Sequence, residues 1–162
     1  MDISSCAVSD ENARPTSEAA LAAAAPAQWR AAKSLLKLRS QVNQLAPERS
    51  IASDGIVADT HHPGTSDHQP RDIDGQAQVV TAIDITHDPV HNCDAQSIVN
   101  ALVASRDSRI KYIIYNGKII NSSVSPWTWR DYDGANPHTR HFHLSCVAEV
   151  AKFDSEANWS IT

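Results

Sequence analysis

The chain has 162 residues, 41% hydrophobic and 20% charged, which fits one domain with a real core and excludes global disorder. With 14 basic and 19 acidic residues it carries a formal charge of −5. That balance lacks the basic stripe of a nucleic-acid binder.

Residues 1–25 are rich in Ser, Ala and acids with almost no large apolar groups, which predicts a flexible N-terminal arm. The start, Met1-Asp2-Ile3-Ser4-Ser5-Cys6, lacks the basic head and apolar middle of a signal peptide, so synthesis in a cytoplasm without an export signal is expected. No run is long and apolar enough to predict membrane insertion. Trp29, Ala32, Leu35, Leu36, Val42 and Leu45 recur at helical spacing and predict a helix over residues 26–45, with Pro26 in its first turn and Pro47 beyond its end. Residues 46–75 are polar and rich in Pro and Gly, which predicts a long loop carrying Arg49, Asp54, His61, His62 and His68. β-Branched residues predict a strand over 78–85. Asp94 is a good N-cap for a helix to residue 105, with Ile98, Val99, Leu102 and Val103 on its apolar face. A strand over 110–115 turns at Asn116-Gly117 into a second over 118–120. Residues 121–140 read as a loop with Trp127, Trp129, Tyr132 and His138, and 142–147 as a last strand. The pattern is α+β: a small antiparallel sheet backed by helices, one domain over 26–150, then a short tail over 151–162.

Strand alternation puts His141, His143 and Ser145 on one face of the last strand and Phe142, Leu144 and Cys146 on the other. The second face is core; the first presents two imidazoles toward a cleft, or is a pair of half-exposed strand histidines. Asp84 lies between Ile83 and Ile85 in a strongly apolar strand, where a carboxylate is costly unless it is paired or binds a metal. Together with His68 the set offers two imidazoles and a carboxylate with a fourth position for water, the donor set of a catalytic zinc site. The three cysteines are too few and too odd in number for a disulfide framework. Cys146 reads as a buried small hydrophobe, and Cys93 sits at a helix start where a thiolate would be stabilised by the dipole. His61, His62, His87 and His91 read as surface residues.

Ser66-Asp67-His68-Gln69-Pro70, then Ala82-Ile83-Asp84-Ile85-Thr86-His87-Asp88-Pro89, then Arg109-Ile110-Lys111-Tyr112-Ile113-Ile114-Tyr115-Asn116, then Asn136-Pro137-His138-Thr139-Arg140-His141-Phe142-His143 occur in that order. Over roughly residues 28–147 the chain resembles the zinc D-alanyl-D-alanine carboxypeptidases and their relatives, which include phage L-alanyl-D-glutamate endopeptidases, and within them a phage and actinobacterial branch. The resemblance implies a hedgehog/D-Ala-D-Ala-peptidase-like fold and a Zn2+ ion held by His68, Asp84 and His143. It implies a phage endolysin, made in a host cytoplasm and acting as a monomer on the peptidoglycan stem peptide of the cell wall after release. Its alternatives are a D,D-carboxypeptidase trimming D-alanine, a non-catalytic zinc or wall-binding module, and a cysteine hydrolase built on Cys93.

Two features depart from the family. Residues 69–83 make a longer spacer between the first His and the Asp than usual, and are expected to bulge out as a loop. Many relatives place an acid three residues before the last ligand; here that residue is Arg140, whose guanidinium cannot act as a base. His138 is the first candidate for the proton-transfer role, with Asp131 and Asp133 behind it. His141 is either a residue that orients a ligand or, in a different register, the ligand itself. Arg49 either forks onto a substrate carboxylate or carbonyl or is an ordinary loop arginine. Asp54, Trp127, Trp129 and Tyr132 are candidates for the substrate cleft.

Overall fold

The computed structural model describes residues 28–58 and 64–162. The predicted arm, Pro26, Cys6, His61 and His62 lie outside the described residues. The elements are β1 (Arg30–Ala31), α1 (Lys33–Leu45), β2 (Arg71–Ile73), β3 (Gln76–Val80), β4 (Ala82–Thr86), α2 (Ala95–Ser105), β5 (Ile110–Tyr115), β6 (Lys118–Asn121), β7 (Arg130–Asp131), β8 (His141–Cys146) and α3 (Val150–Phe153). They form a mixed α+β structure with two sheets. The larger is antiparallel with order β4-β8-β5-β6-β7, and the smaller has order β1-β3-β2. No helix among the described residues is long and apolar enough to cross a membrane.

The core follows from strand alternation. Ile83 and Ile85 of β4, Phe142, Leu144 and Cys146 of β8 and Ile113 of β5 are all fully buried. Leu35, Leu38 and Val42 of α1 and Ile98, Val99 and Leu102 of α2 belong to the same apolar cluster. Asp94 caps α2, its carboxylate accepting from the Gln96 amide at 3.1 Å. The Cys146 thiol is pushed up to about 12 by burial, although its contact with Ser34 Oγ opposes the shift.

Several expectations are corrected. The first helix begins at Lys33, because Arg30 and Ala31 pair with Val79 and Val80 as a short parallel strand. Trp29, Leu36 and Leu45, expected in its apolar face, are exposed, and Leu38 is buried in their place. The single strand over 78–85 is two: the chain changes sheet at Thr81. The spacer between His68 and Asp84 is an ordered hairpin, not an open loop; Asp74 and Gly75, both with positive φ, turn β2 into β3. Two residues of the long loop over 121–140, Arg130 and Asp131, form an edge strand on β6. The last residues, expected as a tail, carry α3 and place Phe153, Trp159 and Ile161 in the core. Arg109 stacks on Trp159 at 3.7 Å and donates to the Ala157 and Asn158 carbonyls, while Trp159 Nε1 donates to Ser34 O.

Candidate metal centre

The polar face of the larger sheet is built by register. Asp84 of β4 lies directly across from His143 of β8, Ala82 from Ser145, and Thr86 from His141. On the other side of β8, Ile114 faces His143 and Tyr112 faces Ser145. Side chains opposite one another in neighbouring strands share a face, so Asp84 and His143 meet without any help from a loop.

His68 arrives from outside the sheet and is fixed mainly by backbone. The Thr81 amide donates to Asp67 O, the Ala58 amide to His68 O, and the His68 amide to Ser66 Oγ. The Asp67 carboxylate takes Lys111 Nζ at 2.6 Å. Burial alone would raise Asp67, but that ion pair holds it below the usual carboxylate range.

The three donors converge. His68 Nε2 lies 3.0 Å from His143 Nδ1 and 3.3 Å from Asp84 Oδ1, and His143 Nδ1 lies 3.0 Å from the same oxygen. Ligand atoms around a four-coordinate ion with bonds of ~2.1 Å sit roughly 3.4 Å apart, so these spacings fit one ion at the centre. All three residues are buried. Their outer atoms are also arranged for it. His68 Nδ1 lies 2.6 Å from Ile56 O, which can only accept, so Nδ1 carries the hydrogen and Nε2 turns its electron pair inward. His143 Nε2 lies 2.9 Å from Ser145 Oγ, which lets it donate there and present Nδ1 as an electron pair. Tyr112 stacks on the His143 ring at 5.3 Å and 15°.

Burial and charge act on the three donors in different directions. Burial would raise the Asp84 carboxyl, but the His143 and His68 imidazoles beside it hold it far below its usual range, so it is a carboxylate at neutral pH. Burial pushes the His143 imidazole down, away from the cationic form that cannot ligate. Burial acts the same way on His68, but the Asp84 carboxylate outweighs it and raises that imidazole.

A second group, Asp84, His138 and His141, is also close enough to hold an ion. His138 is buried and its imidazole is pushed down to about 4 by desolvation and by the neighbouring His143 and His141, so it is neutral at pH 7. A cleft of about 230 Å³ opens over the first group, with Tyr132, Asn136 and His138 in its wall. Trp127 packs against the core and Trp129 lines a separate pocket beside Tyr115 and Lys118.

Arg49 and Asp54 do not face this cleft. The Arg49 guanidinium is buried and forks onto Asp54 at 2.8 and 2.6 Å, with Asn43 Oδ1 and Ser50 O taking further donors. Asp54 in turn accepts from the Thr86 amide and hydroxyl at 3.0 and 2.8 Å. The pair braces the segment whose Gly55 exchanges two backbone hydrogen bonds with Asp84. Cys93 is buried, donates to Thr86 O at 3.2 Å, and has its thiol pushed up by burial, the opposite of a dipole-activated thiolate. Asp131 is exposed and paired with Lys118. His91 pairs with Asp88, and the half-buried His87 accepts the Ala95 amide at the start of α2.

The supporting groups Ser145, Tyr112, Asp67 and the Ile56 carbonyl were not assigned from sequence. Ser145 carried a usable signal, since it shares a strand face with His143 two residues away. No family model, curated protein or solved structure matches the chain.

Proposed function

We propose that this protein is a zinc-dependent peptidoglycan peptidase that hydrolyses an amide bond of the cell-wall stem peptide, with the fold of the D-alanyl-D-alanine peptidase family it resembles. The observation that carries the reading is the convergence of His68, Asp84 and His143 within 3.3 Å of one another under an open polar cleft. Two imidazoles and one carboxylate favour zinc, and a three-residue set leaves room for solvent and substrate. An ion held there supplies Lewis acidity toward the scissile carbonyl and a nucleophile at neutral pH.

The chain's own residues do the rest. Ile56 O and Ser145 Oγ hold the two ligand rings in the tautomer that ligates. Asp84 stays anionic and offsets the positive charge of the site. His138, neutral at pH 7 and in the cleft wall, takes the proton from the attacking water and returns it to the leaving amine. Tyr132 meets the His138 ring edge-on at 5.6 Å and bounds the space in which the stem peptide lies.

An endolysin that acts as a monomer on the cell wall after its release from the host cytoplasm accords with this reading. The test is digestion of purified walls by zinc-loaded protein, with products identified by mass spectrometry. Newly exposed amino groups inside the stem peptide support an endopeptidase. Release of single D-alanine assigns the carboxypeptidase instead, and walls bound but uncut overturn the enzymatic reading.

A further inference from the structure

The first donor set uses only one oxygen of Asp84. Its other oxygen, Oδ2, lies toward His141, and His138 belongs to the same group. His141 Nε2 lies 3.7 Å from Oδ2, beyond a good hydrogen bond and near the spacing of two ligands on one ion. The His138 and His141 rings meet edge-on with centroids 4.9 Å apart, and each of Asp84, His138 and His141 offers a ligand atom within 4.8 Å of the others.

The two groups differ in how their nitrogens are satisfied. In the first, the outer nitrogens are committed to Ile56 O and Ser145 Oγ. In the second, Nδ1 of His138 and Nδ1 of His141 are both buried without a hydrogen-bond partner. His138 is only 8% exposed, so open solvent does not repair this. A buried polar nitrogen left unpaired costs about 1–3 kcal/mol. Neither ring is tied to a protein partner through Nδ1, and the case for a ligand rests on the convergence of the two imidazoles with Asp84. The position of His138 is itself held: its backbone adopts φ +54, its amide donates to Asn136 Oδ1, and its carbonyl accepts from the Asn116 amide.

We propose that Asp84 Oδ2, His138 and His141 form a second divalent-cation position, and that filling it inhibits the enzyme by removing His138 from proton transfer. Asp84 then bridges two ions, one on each oxygen. The second ion binds more weakly, because it shares its only carboxylate with the first and is repelled by it. Binding rests on geometry alone, and inhibition rests on the peptidase reading above.

The test uses the full chain, stripped of metal and titrated with Zn2+ alone. Calorimetry and elemental analysis count equivalents while lysis of purified walls is followed on the same samples. The expected result is two equivalents: lysis appears with the first and falls roughly tenfold or more with the second, since a positioned base contributes ~10²–10⁴-fold. His141→Ala and His138→Asn should each keep the tight equivalent and lose the weak one. His141→Ala, whatever its basal rate, should show no fall in lysis at excess zinc. One equivalent in the wild type, or a weak equivalent that persists in both variants, overturns the second position. Full lysis with two equivalents bound overturns the inhibitory role. Two equivalents that respond to the variants, with no wall cut at any loading, keep the second position and remove the peptidase reading together with the inhibition.

Discussion

Replacing Ser145 by Ala removes a single oxygen that touches neither metal nor substrate, yet metal affinity should fall. Ser145 is fully buried, and its Oγ is the partner of His143 Nε2 at 2.9 Å. Without it, a metal-ligating His143 keeps an Nε2–H with nowhere to donate. An unpaired buried donor costs ~1–3 kcal/mol, which at ~1.4 kcal/mol per tenfold converts to a loss of roughly 5- to 150-fold. Outer partners of ligating histidines typically contribute ~10–100-fold, in the same range. Competition against a chromophoric chelator measures it. Tyr112→Phe serves as the control. That change removes the phenol oxygen, keeps the ring stacked on His143, and leaves the Nε2 partner in place; its effect should be the smaller. Unchanged zinc affinity in Ser145→Ala, or a larger loss in Tyr112→Phe, would refute the argument that His143 ligates through Nδ1.

Arg49→Ala should cost about 3 kcal/mol in urea unfolding, since it strands a largely buried carboxylate; a stable variant with weakened substrate binding would restore Arg49 as a substrate fork. Burial opposes ionisation of Asp54, but Arg49 and Thr86 hold its folded pKa below the unfolded value of about 3.9. Its contribution is therefore complete above about pH 4 and lost as the pH falls through the folded pKa. Urea midpoints measured across that range should slope less for Asp54→Asn than for wild type. His138→Asn should keep the tight zinc equivalent while turnover drops ~10²–10⁴-fold; undiminished turnover would move proton transfer elsewhere.

What was legible in the sequence was strand alternation. His141, His143 and Ser145 sit on one face of β8 as their spacing requires, and Asp84 was conspicuous because its neighbours Ile83 and Ile85 are core. Asn116-Gly117 announced its hairpin because apolar strands flank it. Asp74-Gly75 makes a comparable turn between β2 and β3, but its flanks, Arg71-Asp72-Ile73 and Gln76-Ala77-Gln78, are too polar to read as strands. The break at Thr81 was invisible because an apolar run looks the same whether it stays in one sheet or changes partner. Phe153, Trp159 and Ile161 are too sparse to form a period, so their place in the core depends on long-range contacts such as Arg109 on Trp159. Arg49 looked like a substrate residue because its partner Asp54 is recognisable only once the loop is folded. The four histidines near Asp84 were each singled out in the sequence, His68 and His143 with Asp84 as one set and His138 and His141 in other roles, but their grouping on the two sides of one carboxylate was not.

The most direct measurement is the zinc content of purified, dialysed protein, paired with turbidity loss of purified cell walls before and after chelation. Wild type should retain one tight zinc per chain and lose lysis when it is stripped, and Asp84→Ala should neither hold zinc nor lyse walls while keeping its fold. Full lysis by a protein holding no transition metal, or by Asp84→Ala, would contradict the account.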